Sequence, residues 1–306
     1  MVEVSIIIAS FNTRDLIKKC LECIRNADLS ISYEVVIVDN ASRDGTVTML
    51  GQEHPYVRIF QAAENIGFAR ANNVGMRMAK GKHFLFLNSD AFVSQGLIEG
   101  MLEFFENHPT VGALGPQVLN PDGTFQSAGF PPYGIFLLTI RPNVEKSLSR
   151  ICPRLRRRKA RREGNLVRKV GWLSGCCLMV SRRAIETVGM LNEGFDFYCE
   201  DVEWCHRARK KGFEIWNLGY LKVIHQGQGS GAVMFTPNYW ERATIELHVN
   251  CMGRSRSVIV HALFLLQSIA AYLFSFLLGR ELERPGIEER IRFEGKVLVG
   301  IIVGKR

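Results

Sequence analysis

Several things are scarce in this 306-residue chain, and each scarcity removes a class of protein. Charged residues are only 23% of it and apolar residues reach 47%, which excludes wholesale disorder and leaves ample material for a core. Eight cysteines in 306 residues are too few for a disulfide framework. Cys20 and Cys23 form a CxxC, but no second pair stands at zinc-ribbon spacing. They lie in TRDLIKKCLECIRN, where Leu16, Cys20, Cys23 and Ile24 recur at helical spacing. The cysteines are therefore read as reduced packing residues in a cytosolic setting. No internal repeat is visible. The opening MVEVSIII lacks a basic n-region and a small-residue cleavage site, so no signal peptide is expected. The length fits one large domain, or one domain with an appendage.

The net charge of +9, from 39 Lys+Arg against 30 Asp+Glu, has one source. Residues 150–169 carry ten basic residues and one acid, Glu163, and the remainder balances at 29 against 29. A neutral protein with one cationic patch points to a local anionic partner, such as lipid headgroups or a lipid diphosphate. No aromatics interleave the patch and no base-reading module accompanies it, so nucleic acid is not expected. Residues 258–278 are 21 residues without a formal charge, long enough to span a bilayer. His261, Gln267, Ser268, Tyr272 and Ser275 fit a buried or interfacial helix equally well.

Along the first third, apolar runs alternate with helical patterns. Strands are expected at residues 4–9, 34–38, 57–61 and 83–87. Helices are expected from about residue 13, at 47–52, at 68–80 and from about 97 to 107. That alternation predicts an α/β fold with a mostly parallel sheet flanked by helices. Residues 112–141, rich in Gly and Pro, read as loops with short strands. Residues 172–180 are apolar, 182–188 suggest a brief helix, and 201–211 suggest a helix ending at Gly212.

Ligands of such sheets bind beyond the carboxyl ends of the strands. The polar clusters there, Ser10 with Asn12, Asp39 to Asp44, and Asn88-Ser89-Asp90, should converge on one cleft. Asp90 could hold a divalent cation bridging phosphates, or simply cap a turn. Asp39 could accept a hydrogen bond from a nucleobase, while Asp44-Gly45 is equally a turn signal. In ENIGFARANN, Asn65 precedes a glycine turn and Arg70 lies in the first turn of a helix, a combination suited to phosphate. Five carboxylates fall between Glu193 and Glu203. Crowding of that kind raises pKa values and suits general-base work, although Glu200 and Asp201 could cap the helix and Glu203–Arg207 could be an i,i+4 pair. His225 follows an apolar strand, where it could be structural or a metal ligand.

Together SIIIASFN, VIVDNASRDGT, NIGFARANNVG, FLNSD, WLSGCCLMVSRRA and FYCEDVEWCHR resemble the family 2 glycosyltransferases of GT-A fold, in that family's order and approximate spacing over residues 3–230. The subgroup the chain looks most like is the bacterial rhamnosyltransferase-like and galactofuranosyl-like enzymes that build surface polysaccharides. The resemblance implies residues 1–250 as the transferase domain, with a Rossmann-like nucleotide-sugar half at 1–110. An acceptor half at 111–250 would carry the basic insert at 150–169, and 251–306 would be a membrane-associating helical segment.

The resemblance also implies roles. Asp39 matches a base contact, with Ser10, Asn12 and Asn65 beside it. Arg70 matches a residue near the donor diphosphate, and Trp172 with the Gly175 region matches the wall facing donor sugar and acceptor. Asn88-Ser89-Asp90 matches the DXD metal motif with Asn88 in place of its first acid, so Asp90, with His225, would bind Mg²⁺ or Mn²⁺. Asp201 matches the catalytic base, with Glu200 the alternative. The implied reaction is an inverting transfer from a nucleotide-diphosphate sugar (dTDP-rhamnose or UDP-hexose type) to a lipid-linked or polysaccharide acceptor. It would take place at the cytoplasmic face of a bacterial inner membrane, with the chain peripheral or anchored by one helix. A catalytically degenerate scaffold is the alternative that Asn88 supports. A nucleotidyltransferase would need a Gly-rich basic loop after the first strand, which SFNTRD is not.

Overall fold

The computed structural model describes residues 1–126, 129–130, 166–195, 198–227, 237–277 and 284–304. Most of the basic insert, the end of the 112–141 stretch, Asp196 and Phe197 lie outside the described residues. The chain begins with β1 (Val4–Ser10), α1 (Arg14–Asn26), β2 (Tyr33–Asp39), α2 (Thr46–Glu53), β3 (Arg58–Gln61), α3 (Phe68–Met78) and β4 (His83–Leu87). Then come β5 (Ala91–Val93), α4 (Leu97–Asn107), β6 (Val111–Leu119), β7 (Gly129–Phe130), β8 (Val167–Lys169), β9 (Trp172–Leu173) and β10 (Cys177–Ser181). The described elements end with α5 (Arg182–Val188), α6 (Glu200–Lys210), β11 (Glu214–His225), α7 (Pro237–Met252), α8 (Arg254–Leu277) and α9 (Arg284–Val303).

One nine-stranded sheet runs β3-β2-β1-β4-β10-β6-β11-β5, with β8 also on β11. Strands β3, β2, β1 and β4 are parallel, and β11 is parallel to β6, whereas β10, β5 and β8 run against their neighbours. Side chains alternate across each strand. Ile6, Ile8, Leu85 and Leu87 therefore enter one core, where α1, α2 and α4 contribute Ile17, Leu50 and Met101. Ile7, Phe84 and Phe86 enter the other, where α3, α5 and α6 contribute Met76, Ile185 and Trp204. Cys20 and Cys23 lie on α1, Cys20 buried, and the cysteines of the described residues are free.

Where loops with short strands are expected from residue 112, the first part is instead one nine-residue strand, β6, buried nearly throughout. Its glycines answer to close packing. A Cβ at Gly112 would stand 2.7 Å from Phe213 Cβ, and one at Gly115 would stand 3.0 Å from the Cys177 carbonyl. Pro116 has no N–H to give a ladder. It pairs with Leu218 immediately before a register shift on β11, which resumes at Lys222 opposite Gln117. The irregularity of β11 thus accommodates the proline.

The helix α7 crosses the 250/251 position. Its Ala243, Leu247 and Cys251 pack with Phe195 and with Val202 of α6. Helices α8 and α9 lie antiparallel. Tyr272 donates to Glu288 at 2.8 Å near one end, and a Cβ on Gly304 would meet Arg254 at the other. Between them is a buried relay. Glu294 accepts from His261 Nδ1 at 2.7 Å, which leaves His261 Nε2 to accept from His248 Nδ1 at 2.6 Å. Among the described residues α8 is the one helix long and apolar enough to cross a membrane, by length and composition. Its Ile259, Leu263, Leu266 and Leu273 are exposed, as are Val299 and Ile302 of α9.

Candidate active site

Register assembles the site. Ser10 pairs with Asp39 across β1 and β2, so both strands deliver their last residue to one edge. Asp39 is fully buried. Its carboxylate accepts from Ser10 Oγ at 3.2 Å and from the Ser42 N–H at 2.9 Å, leaving lone pairs for a ligand donor. Asn12 locks the two loops together. Its N–H donates to Ser42 Oγ at 2.8 Å and its Oδ1 accepts from the Arg43 N–H at 2.8 Å. Asn12 and Ala41 have φ of 52° and 63°, a left-handed geometry that costs free energy and clusters at functional loops. Asp44 is a turn residue here, accepting from Arg14 N, Thr46 N and Thr46 Oγ1. Ser42 was not singled out in the sequence, because a lone serine in a polar loop carries no pattern.

Asn65 caps its turn by accepting from the Gly67 N–H at 3.0 Å. Arg70 is half exposed, 3.9 Å from Glu193. Neither is hydrogen-bonded to the Asp39 group, so the structure joins these two residues to the site by position at the start of α3 alone.

The antiparallel pairing of β5 with β11 sets His225 opposite Ala91, one residue beyond Asp90. His225 Nε2 lies 3.2 Å from Asp90 Oδ1 and 3.2 Å from Asn88 Nδ2. Asp90 is 4% exposed. An imidazole nitrogen and a carboxylate oxygen brought side by side are donors that a divalent cation could take. The donor set, N with O and Asn88 at its side, thus fits Mg²⁺ or Mn²⁺. Among the described residues no set of three or more His, Cys, Asp or Glu side chains forms a metal cluster. Two protein ligands suit an ion that keeps water and substrate phosphate in its shell.

Asn88 N–H donates to the Cys176 carbonyl at 2.9 Å, which ties this corner to the segment leading into β10. In that segment the Gly175 N–H donates to Asp201 Oδ2 at 2.8 Å, and Asp201 Oδ1 accepts from the Val202 N–H at 2.7 Å. A Cβ at Gly175 would lie 3.5 Å from Asp201 Oδ2 and 3.6 Å from Phe68 at the start of α3. The burial that drives the Cys176 thiol up to about 12 is reinforced by both Asp90 and Asp201. The Asp90–His225 corner and Asp201 of α6 are therefore both tied to the Gly175–Cys176 segment.

The helix α6 enters through Tyr198 and Cys199, both at φ 71°, and its first turn holds Glu200, Asp201 and Glu203. Of the five carboxylates expected to crowd here, Asp196 lies outside the described residues and the other four are accounted for as follows. Glu193 is drawn to Asn73 Nδ2 at 2.8 Å, and Glu203 to Arg207 at 2.7 Å. Glu200 and Asp201 remain together. Burial and then the Asp201 charge push the Glu200 carboxyl up to about 8, and Glu200 Oε2 is buried with no partner. Burial also raises Asp201, opposed by the N–H groups of Gly175 and Val202. Trp172 lies on β9, antiparallel to β7, and packs beside the clusters that hold Trp204 and Val202.

Sheet order, cleft position and acid placement define a glycosyltransferase of GT-A fold. TarS of S. aureus (residues 1–349) superposes with a TM-score of 0.54 at 16% identity, over 98% of this chain and 82% of that one. GalNAc-T7 crystallised with UDP, GalNAc and Mn²⁺ gives 0.54 at 14% identity over 80% of this chain, which spans 48% of that one. At such identities the likeness speaks for fold alone. The profile of "Glycosyl transferase family 2" matches residues 5–189, and the chain belongs to that family. It is 32% identical over 217 residues to N-acetylglucosaminyl-diphospho-decaprenol L-rhamnosyltransferase of Mycobacterium tuberculosis H37Rv, covering 65% of this chain and 69% of the relative. It is 26% identical over 229 residues to the low-salt glycan biosynthesis hexosyltransferase Agl10 of Haloferax volcanii, covering 73% and 67%.

Proposed function

We propose that this transferase moves a sugar from a nucleoside diphosphate donor, of the dTDP-rhamnose or UDP-hexose type, to a hydroxyl of a lipid-linked or polysaccharide acceptor, with inversion at the anomeric carbon. The carrying observation is the meeting of two groups at the Gly175–Cys176 segment: the Asp90–His225 pair, tied to it through the bond from Asn88 N–H to the Cys176 carbonyl, and the Asp201 carboxylate, which accepts from the Gly175 N–H. Asp39, with Ser10 and Asn12 fixing its loop, takes the nucleobase side. Asn65 and Arg70 serve the diphosphate, and Trp172 lines the sugar and acceptor wall. Asp90 and His225, with Asn88 beside them, would hold Mg²⁺ or Mn²⁺, which when bound supplies charge for the leaving diphosphate.

Asp201 accepts the proton of the acceptor hydroxyl while that oxygen attacks the anomeric carbon. The bond from that carbon to the diphosphate oxygen breaks, and its electron pair leaves with the nucleoside diphosphate. Glu200, protonated near neutral pH, contributes no second negative charge against the attacking oxygen. Similarity to the mycobacterial N-acetylglucosaminyl-diphospho-decaprenol L-rhamnosyltransferase supports the donor and acceptor classes.

Membrane contact is proposed as interfacial. A spanning α8 would take the charged α9 with it, because Glu288 and Glu294 are bonded to Tyr272 and His261 along its length. Ile259, Leu263 and Leu266 are exposed on α8, and Arg254 and Arg256 are exposed at its start. Together they suit an anionic surface, and the reading places the enzyme peripherally at the cytoplasmic face of the inner membrane. The transfer itself is tested by NMR of the product's anomeric centre with a panel of dTDP- and UDP-sugars and polyprenyl-diphosphate-linked acceptors. The expected product has the configuration opposite to the donor's, and a retained configuration would overturn the single displacement.

A further inference from the structure

Behind His225 stands a directed chain of hydrogen bonds that begins at a carboxylate. The turn after β6 reads Asn120-Pro121-Asp122-Gly123-Thr124, with Gly123 at φ 78°, and it returns Gln126 against the strand through a bond from its N–H to the Val118 carbonyl. Asp122 Oδ1 accepts the Thr124 hydroxyl at 2.6 Å, so Thr124 Oγ1 can accept from Asn120 Nδ2 at 2.8 Å. Asn120 therefore presents its Oδ1 to Gln126 Nε2, at 2.7 Å. The second hydrogen of Gln126 Nε2 goes to the His225 carbonyl, also at 2.7 Å.

With both amide hydrogens committed to oxygens, Gln126 can only turn Oε1 toward the imidazole. His225 Nδ1 lies 3.0 Å from that oxygen and must donate to it. Reversing the amide would set its oxygen against two other acceptors and forfeit both hydrogen bonds. The neutral ring then carries its lone pair on Nε2, the atom 3.2 Å from Asp90 and within reach of the Asn88 amide donor.

We propose that Gln126 is a positioning residue for the divalent cation, holding His225 as the Nδ1–H tautomer so that Nε2 is offered as a ligand beside Asp90. This rests on the reading of Asp90 and His225 as the metal pair. The partner on the far nitrogen of a metal-bound histidine fixes its tautomer and raises its basicity, and loss of such a partner typically weakens metal binding by about 10- to 100-fold. In the cation-free protein the alternative tautomer has its own attraction, since an Nε2–H could donate to Asp90. The Gln126 chain is what opposes it.

The test compares wild type with Gln126→Met, which keeps the length and loses the acceptor. Asp90→Ala and His225→Ala are measured alongside. The first readout is the ¹⁵N signature of the His225 ring in metal-free protein. The second is Mn²⁺ affinity, from the electron paramagnetic resonance of free Mn²⁺. Expected are an Nδ1–H ring in wild type, a shift toward Nε2–H in Gln126→Met, and Mn²⁺ binding at least tenfold weaker in Gln126→Met than in wild type. An unchanged tautomer with unchanged Mn²⁺ affinity in Gln126→Met overturns the role of Gln126, as does an Nε2–H ring in wild type. Unchanged affinity in both Asp90→Ala and His225→Ala would instead sink the metal pair itself, and the metal-free ring signature would still judge the tautomer separately.

Discussion

Replacing each of the two adjacent carboxylates in turn should give opposite results. Asp201→Asn removes proton acceptance. It also turns one accepted bond into a clash of donors, because the Gly175 and Val202 N–H groups donate at 2.8 and 2.7 Å to separate oxygens of the present carboxylate. Loss of a general base costs about 10²–10⁴ in rate, whereas one lost hydrogen bond costs about 1 kcal/mol in stability. Turnover should therefore fall by orders of magnitude while donor binding and fold persist. Glu200, with its carboxyl pushed from 4.5 up to about 8, is mostly neutral at pH 7, so Glu200→Gln exchanges one uncharged group for another of the same shape. Its kcat/KM at pH 7 should stay within about threefold of wild type, well inside the loss expected for a base.

The sign of the stability effect follows from the raised value. The native state holds a proton on Glu200 between 4.5 and about 8 that the unfolded chain has released. Wild-type stability therefore falls as pH rises through that window. Glu200→Gln should escape the fall and become the more stable protein toward pH 8. Nucleoside diphosphate release, with any donor and acceptor that wild type turns over, reads the kinetics; urea melts at pH 5 and pH 8 read the stability. Wild-type rates in Asp201→Asn, or an inactive but folded Glu200→Gln, would refute the assignment of Asp201 as base.

Three further outcomes follow from the packing. Gly112→Ala puts a methyl 2.7 Å from Phe213 Cβ and should lower stability by about 1–3 kcal/mol, measured by urea denaturation; a neutral effect would mean that β6 and Phe213 are not in register. His261→Ala leaves Glu294 buried without its partner and should cost about 3–5 kcal/mol. Because burial and the neighbouring His261 drive the His248 imidazole down to about 3, wild-type stability should also fall as pH drops from 6.5 toward 3, and thermal melts that are flat over that range would contradict the relay. Leu263→Asp with Leu266→Asp alters side chains that are 53% and 62% exposed, so the melting temperature should hold while flotation with anionic vesicles is lost, each inserted leucine being worth about 1.5–3 kcal/mol. Unchanged flotation would remove this face from membrane contact.

Much of the first third was legible because continuous apolar runs at β1, β2 and β4 alternate with helical periods at α1, α3 and α4, and the polar residues closing those strands meet at one edge. The short helix at 182–188 and the cessation of α6 before Gly212 were readable for similar local reasons. β6 was not, because Gly112, Gly115 and Pro116 imitate a loop when their neighbours are unknown; only Phe213, Cys177 and the irregular β11 explain them. β5 is three residues long and has no period to detect. In the site, Asp90 and His225 were each visible as polar residues after apolar strands. Their contact depends on the β5–β11 pairing, which brings Asn88 and His225 together across 137 residues. Gln126 carries no pattern at all beyond the Asn-Pro-Asp-Gly turn that sends the chain back toward β6. The readings of Arg70 and Asn65 came from their place at a helix start, and no hydrogen bond ties either to the Asp39 group.

The most direct measurement is calorimetric titration of UDP, dTDP and GDP, each with and without Mn²⁺, into wild type and Asp90→Ala. The account predicts that one nucleoside diphosphate binds wild type in a Mn²⁺-dependent manner and that the Mn²⁺ dependence disappears in Asp90→Ala. Nucleotide binding that is indifferent to Mn²⁺, or Mn²⁺-dependent binding that survives in Asp90→Ala, would contradict a donor site built on Asp90 and His225.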